Sequence, residues 1–403
     1  MYTQKFGAGH AGGVDLFKNM SDNNMIRLGE NPNTPIDILE RLAKDKNVIA
    51  RASVASNPNT PINILKKLSL DNSKIVRADV ASNSNTPTHI LERLSKDENK
   101  VVRMFVAKNS NTLVGILENL SSDKYARADV ASNPNTPIDI LERLANDEDK
   151  VVRTSVASNP NTPTYILEKL AIDEDVDVRI GLAKNINTPV NILERLANDE
   201  NIIVRTSVAQ NPNTPVDILE RFANDEDYYA RACVAKNPNT PIDILEHLAK
   251  DKDKVVRMFV AQNLNNSDEI FKRLSINEFP DVIKCVAKNP NTPVDILERL
   301  SNDKNKDVRS RIAENPNTPI DILERLANDE DKDVRSRIAE NPNTPVEVLE
   351  RLANDKDEYK YISINAVTTL LSQPPEIDVD EWNDFAQKAQ RQENILTKQK
   401  QSL

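Results

Sequence analysis

Two charged residues recur at spacings that could do chemistry. Arginine stands at Arg51, Arg77, Arg103, Arg127, Arg153, Arg179, Arg205, Arg231, Arg257, Arg309 and Arg335, with Ile283 as the one gap. Aspartate keeps the same beat from Asp45, Asp71 and Asp97 onward, broken only by Asn277. A row of guanidinium groups can grip phosphates or carboxylates in a fork. It can equally be an internal ladder. At about 100° per residue, Arg153 falls inside the apolar arc formed by Val152, Val156 and Ala157. That position favours the ladder. It would run through Arg103, Arg153, Arg205, Arg257 and Arg309, against the column of Asp97, Asp147, Asp199, Asp251 and Asp303 or against carbonyls at helix ends.

Other candidate chemistry is thin. Cys233 and Cys285 occupy one column two repeats apart, beyond disulfide reach at about 8–10 Å per packed helix layer, and neither has ligand partners nearby in sequence. His10, His89 and His247 do not share a column, so no metal site is expected. Four of the seven glycines fall at Gly7, Gly9, Gly12 and Gly13, without the strand and helix that a phosphate loop needs. No nucleophile triad is spelled out. Neither a catalytic site nor a cofactor is expected.

What positions these columns is a repeat. The motif Asn-Pro-Asn-Thr-Pro, sometimes degraded, begins at thirteen asparagines from Asn31 to Asn341. Eleven of the twelve spacings are 26 residues, and Asn109 to Asn133 is 24. Twenty of the 23 prolines sit in these motifs, so proline marks a period rather than disorder. In the copy starting at Asn133, Thr136 suits a helix N-cap, Pro137 the first helical position and Asp139 a capping box. Ile140, Leu141 and Leu144 share one helical face. This is helix A. Asp147 suits the cap of a second helix B, either α or 3₁₀, over the Val152–Ala157 segment. Helix B should end at Asn159, a residue that tolerates left-handed geometry. One copy has too few apolar groups to fold alone, so stacked copies must share a core.

The NPNTP turn, the ILExLAxD helix and the VRxxVA segment, over about residues 25–355, resemble the variant leucine-rich repeats of bacterial proteins. That resemblance implies a solenoid of α-helices alternating with short 3₁₀ helices, with 136–145 as the α layer and 152–157 as the 3₁₀ layer. The VRxxVA segment is also similar to HEAT repeats, whose second helix lines the concave face. A founding member of the family holds an iron–sulfur cluster on N-terminal cysteines. This chain has no cysteine before Cys233, so no cluster is implied. Most copies here are two residues longer than the family's compact repeat. The expected fold is a right-handed all-α solenoid of about thirteen two-helix repeats.

Composition narrows the partners. With 53 Lys and Arg against 63 Asp and Glu, the net charge is −10, which argues against a general grip on nucleic acid or anionic lipid. The N-terminus lacks an apolar stretch of signal-peptide length and no run could span a membrane, so a cytoplasmic setting is expected.

Function in a repeat array lies where copies differ. On helix B the positions one and five after Arg should point away from the core, with position two at its edge. Position one carries Met104, Ile180 and Met258. Position two carries Phe105, Phe259, Arg311 and Arg337. Position five carries Lys108, Lys184 and Lys236. The Met104–Phe105 and Met258–Phe259 pairs could anchor an apolar partner, or could tuck between repeats. A protein or extended peptide along the concave face is the leading expectation. Nucleic acid on the same face is the alternative, weakened by Asp79, Asp129, Glu314 and Glu340 among the cations. Residues 1–24 read as a lead and cap, 356–373 as a C-terminal cap and 374–403 as a polar tail helix containing Trp382, Phe385 and Ile395. Loss of both motif prolines after Asn263 suggests a kink near 263–289.

Overall fold

The computed structural model describes residues 22–354 and 360–372. Among them the chain forms 27 helices and no strand. It is an all-α repeat solenoid. It divides into two compact units, Met1–Leu196 and Ala197–Leu403. No helix among the described residues is long and apolar enough to cross a membrane. Of the expected N-terminal lead and cap at 1–24, residues 1–21 lie outside the described residues, as does the whole expected tail helix at 374–403.

Helix A is short, and its start differs from the sequence expectation. In the Asn133 copy it runs Ile138–Leu144, with Pro137 as the N-cap at φ −57° and ψ 151°. Thr136 does not cap it. The threonine hydroxyls turn back instead to the end of the preceding helix B, as Thr240 does in donating to the Val234 carbonyl at 2.6 Å. Proline sets the extended entry angle without needing a partner for a missing N–H. The threonine is thus left to satisfy a buried helix-end carbonyl. Ile140, Leu141 and Leu144 are buried, each worth about 1.5–3 kcal/mol.

Helix B is α throughout, running Lys150–Ser158 in this copy, and it is the longer of the pair. The 3₁₀ layer implied by family resemblance is therefore replaced by a full α layer. Its cap is also displaced: Asp149 accepts from Val151 N at 2.9 Å, while Asp147 accepts from Asp149 N at 2.8 Å and shapes the turn before the cap. Equivalent caps are Asn47, Ser73, Asn201 and Asp227. A residue with a short oxygen-bearing side chain recurs two positions after the Asp column, and that was the sequence signal for the true cap.

Helix B ends on the motif asparagine, but in extended rather than left-handed geometry (Asn159 φ −72°, ψ 125°). The reason is the side chain. Asn159 Nδ2 donates to the Ala131 carbonyl at 2.7 Å and the Asn133 carbonyl at 2.9 Å, both one repeat earlier. Its Oδ1 accepts from Asn161 N at 2.9 Å. Each turn is thus stitched to the preceding one. The degraded copies keep the stitch. Across the two-residue deletion, Asn133 still reaches Ala107 and Asn109, and the shortening is absorbed by a helix B trimmed to Arg127–Ser132. In the proline-free copy Asn263 reaches Ala235 and Asn237, Asn266 replaces the lost threonine by donating to Val260, and Ser267 caps helix A. The bond pattern runs unbroken through the 263–289 region where a kink was expected.

The described chain begins with a lone helix in the helix-B position, Asp22–Glu30, which accepts the stitch of Asn57 at the Gly29 carbonyl. A Cβ at Gly29 would sit 1.9 Å from Ser53 Oγ, so only glycine permits this approach. At the other end Lys360–Ser372 takes the helix-B position. Within each unit, helix B packs far more closely on the next helix B than helix A does on the next helix A.

Candidate interaction surface

The arginine column is an interlocked ladder, with a register different from the simplest one. Arg51, Arg77, Arg103, Arg153, Arg231 and Arg309 each take the backbone carbonyl of their own repeat's column aspartate and the carboxylate of the next. Arg103 donates to the Asp97 carbonyl at 2.7 Å and to Asp123 at 2.6 Å. Arg153 does the same with the Asp147 carbonyl at 2.9 Å and Asp173 at 2.7 Å. Arg309 binds the Asp303 carbonyl at 2.8 Å and Asp329 at 2.7 Å. Arg205 holds the Asp199 carbonyl at 2.7 Å. Side chains of Asp97, Asp147 and Asp251 in turn pair with Arg77, Arg127 and Arg231. Burial pushes the Asp251 carboxyl up, but the Arg231 fork and the Asp253 amide more than offset it, so it lies below its usual value. Arg257 marks the interruption. Asn277 replaces its aspartate, its Nη2 reaches Glu278 at 3.4 Å, the Phe279 ring lies 5.2 Å away and its Nε is buried without a partner. These guanidinium groups are committed to the fold and are not offered to a ligand.

The varied columns behave differently. Position one after Arg, expected to point away from the core, is half-buried or buried (buried at Ala78, Thr206 and Ala232), because neighbouring B helices approach closely enough to cover it. Position five meets position two of the next repeat. Lys108 pairs with Asp129 at 3.2 Å, Gln210 Nε2 lies 2.9 Å from Cys233 Sγ, Gln262 Nε2 lies 3.2 Å from Cys285 Sγ, and Arg337 pairs with Glu314 at 3.1 Å. Sequence reasoning treated these columns singly and missed that they mesh. Met104, Phe105, Ile180, Met258 and Phe259 are each half-buried, and Lys108, Lys184 and Lys236 are exposed. Arg311 and Arg337 are tied to Glu314 and Glu340 at 2.6 and 2.7 Å. Cys233 is buried and Cys285 half-buried, both as free thiols, and burial pushes each thiol above its usual range.

In the second unit the meshed columns enclose two adjoining grooves. One, about 560 Å³, is lined by Met258, Gln262, Asp281, Lys284, Cys285, Lys288 and Arg311, among others. The other, about 540 Å³, shares Lys284 and Arg311 and continues past Glu314, Arg337 and Glu340 to Asn365. In the first unit, Asp79 and Asp129 sit on the helices either side of Phe105. Burial, with a further push from Glu30, raises the Asp79 carboxyl to about 6. Burial also raises Asp129, against the pull of Lys108, and one of its oxygens is buried without a partner. A second surface escaped notice in the sequence. The first residue of helix A is Ile or Val in ten of thirteen copies, and Ile36, Ile62, Ile138, Ile242 and Ile320 stand half or more exposed. Its regularity is visible in the motif as the residue after the second proline.

The fold and its ladder define a helical repeat protein, and comparison places the repeat. A family model described as leucine rich repeat variant matches residues 126–149 and 204–227. Both matches run from helix B through the turn and helix A to the cap Asp149 or Asp227, and the other copies share the same columns. Two stretches of the chain thus match the variant leucine-rich repeat model. No curated protein matches it. Among solved structures, it is similar to a leucine-rich repeat variant with a novel repetitive structural motif, at 25% identity over 60% of this chain and 85% of that one, TM-score 0.32. It is also similar to Kap95p in complex with RanGDP, at 13% identity over 87% and 61%, TM-score 0.35. A third is the S. pombe condensin Cnd3–Cnd2 subcomplex, at 17% identity over 90% and 50%, TM-score 0.27. The chain spans less than two thirds of the length of the last two.

Two outcomes follow from this geometry. Arg231 and Asp251 are each about 7% exposed. Removing one charge strands the other, so Arg231→Met alone should cost about 3–5 kcal/mol, whereas Arg231→Met with Asp251→Leu should cost much less than the sum of the singles. A double-mutant cycle by denaturant unfolding measures this, and additive losses would contradict it. For Asp79, the folded-state value of about 6 lies above the usual 3.8. The folded state therefore binds the proton more tightly. Stability is fully present below the unfolded value and falls as pH rises through the folded one. Asp79→Asn should raise stability at pH 8 by about 1 kcal/mol, discounted for the exposed part of the group, and a thermal melt at pH 3.5 should show no gain.

Proposed function

We propose that this protein is a binding scaffold that holds an extended segment of another polypeptide along its helix-B face. The observation that carries the reading is the meshing of positions two and five. Core columns repeat almost unchanged, while in each unit the columns between them form a lined surface whose chemistry changes from repeat to repeat. Such a surface suits a partner that runs across the layers and is read one repeat at a time. The closer packing of B on B supports placing this face on the concave side of each unit. Half-buried Met104 and Phe105 in one unit, and Met258 and Phe259 in the other, supply apolar anchors among polar neighbours.

Nucleic acid fits less well. Among the cations on this face, Lys108, Arg311 and Arg337 are already paired with Asp129, Glu314 and Glu340. Each new phosphate contact would have to displace a carboxylate. The proposed role is binding, with no reaction assigned.

Photo-crosslinking residues at Met104 and Met258, and separately at Glu142 and Glu298 on the exposed side of helix A, separate the faces. Crosslinking in cells of the source should join the same polypeptide to both methionine positions and leave the glutamate positions unlinked. Equal capture from helix A, or none from the methionine positions, would remove the reading.

A further inference from the structure

Four columns make up the helix-B face: the residue two before each ladder arginine and those one, two and five after it. They stand at i, i+3, i+4 and i+7 and share one side of the helix. In the five first-unit copies of helix B from Val48–Ser56 to Lys150–Ser158, these columns hold only three charged residues, Asp79, Lys108 and Asp129. The column two before arginine is apolar throughout: Ile49, Ile75, Val101, Tyr125 and Val151. All five side chains are between 38% and 54% exposed. Val101 stands one helical turn before half-buried Phe105.

The two acids are the unsettled groups of this strip. Asp129 is only 8% exposed; its Oδ1 holds Lys108 at 3.2 Å, and its Oδ2 is buried with no donor. A carboxylate oxygen left dry and unpaired is costly. The Lys108 side chain is 55% exposed, which makes it the mobile member of a weak pair. An incoming ammonium can share the carboxylate with it or take its place. Asp79, half-buried two layers away, makes no ion pair among the described residues, and Glu30 adds a like charge beside it. The second unit repeats the Met–Phe pair at Met258–Phe259 but flanks it with Cys233 and Cys285 where the first unit has Asp79 and Asp129. The acids are what set the first-unit strip apart.

Two layers of 8–10 Å separate the acids by about 16–20 Å. An extended chain covers that in about six residues at 3.3 Å each, and residues six apart point to the same side, as do the second and fourth between them. Those two intervening side chains fall on either side of the middle layer, where Val101 and Phe105 stand. Exposed Lys74 and Lys124 lie five residues before the two acids, at the helix starts, and oppose a longer basic run.

We propose that this strip selects a polypeptide segment with two lysines or arginines six positions apart and apolar residues second and fourth between them. The cations go to Asp79 and Asp129 and the apolar side chains to Val101, Phe105 and Tyr125. The inference rests on the scaffold reading above and gives the bound segment its chemistry.

A fluorescein-labelled peptide, Gly-Lys-Ser-Leu-Ser-Leu-Ser-Lys-Gly, titrated with the full chain at low salt and followed by anisotropy, should bind saturably. The same peptide with both lysines changed to glutamate should not. Asp79→Asn and Asp129→Asn keep the side-chain size, and each should weaken binding about tenfold or more. Asp333→Asn, on the helix-B face of the second unit, should leave the affinity unchanged, and far-ultraviolet circular dichroism checks that each variant is folded. No saturable binding of the lysine peptide, equal binding of the glutamate peptide, or an affinity that survives both first-unit substitutions would overturn the proposal. Such a failure leaves the crosslinks from Met104 and Met258 in place, whereas failure of the scaffold reading removes them.

Discussion

The constraint on which the structure depends is the fate of the carbonyls at the end of each helix B. A helix leaves its last carbonyls without intrahelical partners, and here they are buried between layers where water cannot reach them. The motif asparagine supplies the missing donors. One carboxamide reaches two carbonyls of the preceding repeat while its oxygen holds its own turn, as Asn237 does with Ala209, Asn211 and Asn239. No other side chain offers two donors and an acceptor on so short a stem. Once this bond is set, the register of every other column follows. Leucine rows meet leucine rows, each arginine arrives between its own turn and the next aspartate, and position five arrives over position two.

Much of this could be read from the residues, and the misreadings share a cause. The period, the helix-A core at Ile140, Leu141 and Leu144, and the all-α stack follow from spacing and hydrophobic arcs alone. Thr136, Asp147 and Asn159 were assigned to caps or to left-handed geometry on local propensity. In each case a contact outside the local turn wins. Thr136 and Asn159 serve buried carbonyls of the neighbouring helix ends, and Asp147 is drawn into pairing with Arg127. A repeat tells which residues lie in one column, but not which column faces which. That is why the meshing of Lys108 with Asp129, or Gln262 with Cys285, was hidden.

The two kinds of charge in the molecule have separate duties. Ladder arginines are half-buried or buried, and most are bound to both their own turn and the next aspartate, so they hold layers together. Among the cations of the varied columns, Lys108, Arg311 and Arg337 are paired with carboxylates of their own or a neighbouring repeat. The asymmetry also explains how the repeat fold is kept while the surface changes from copy to copy. Substitutions in positions two and five alter neither the stitch nor the ladder.

The stitching asparagines can be watched directly. In protein labelled with ¹⁵N at asparagine, the side-chain amide protons of the motif column should exchange with solvent as slowly as interior helix amides, while those of exposed loop asparagines such as Asn146 and Asn224 exchange fast. Fast exchange throughout the column would mean that the carboxamides do not hold the repeats in register.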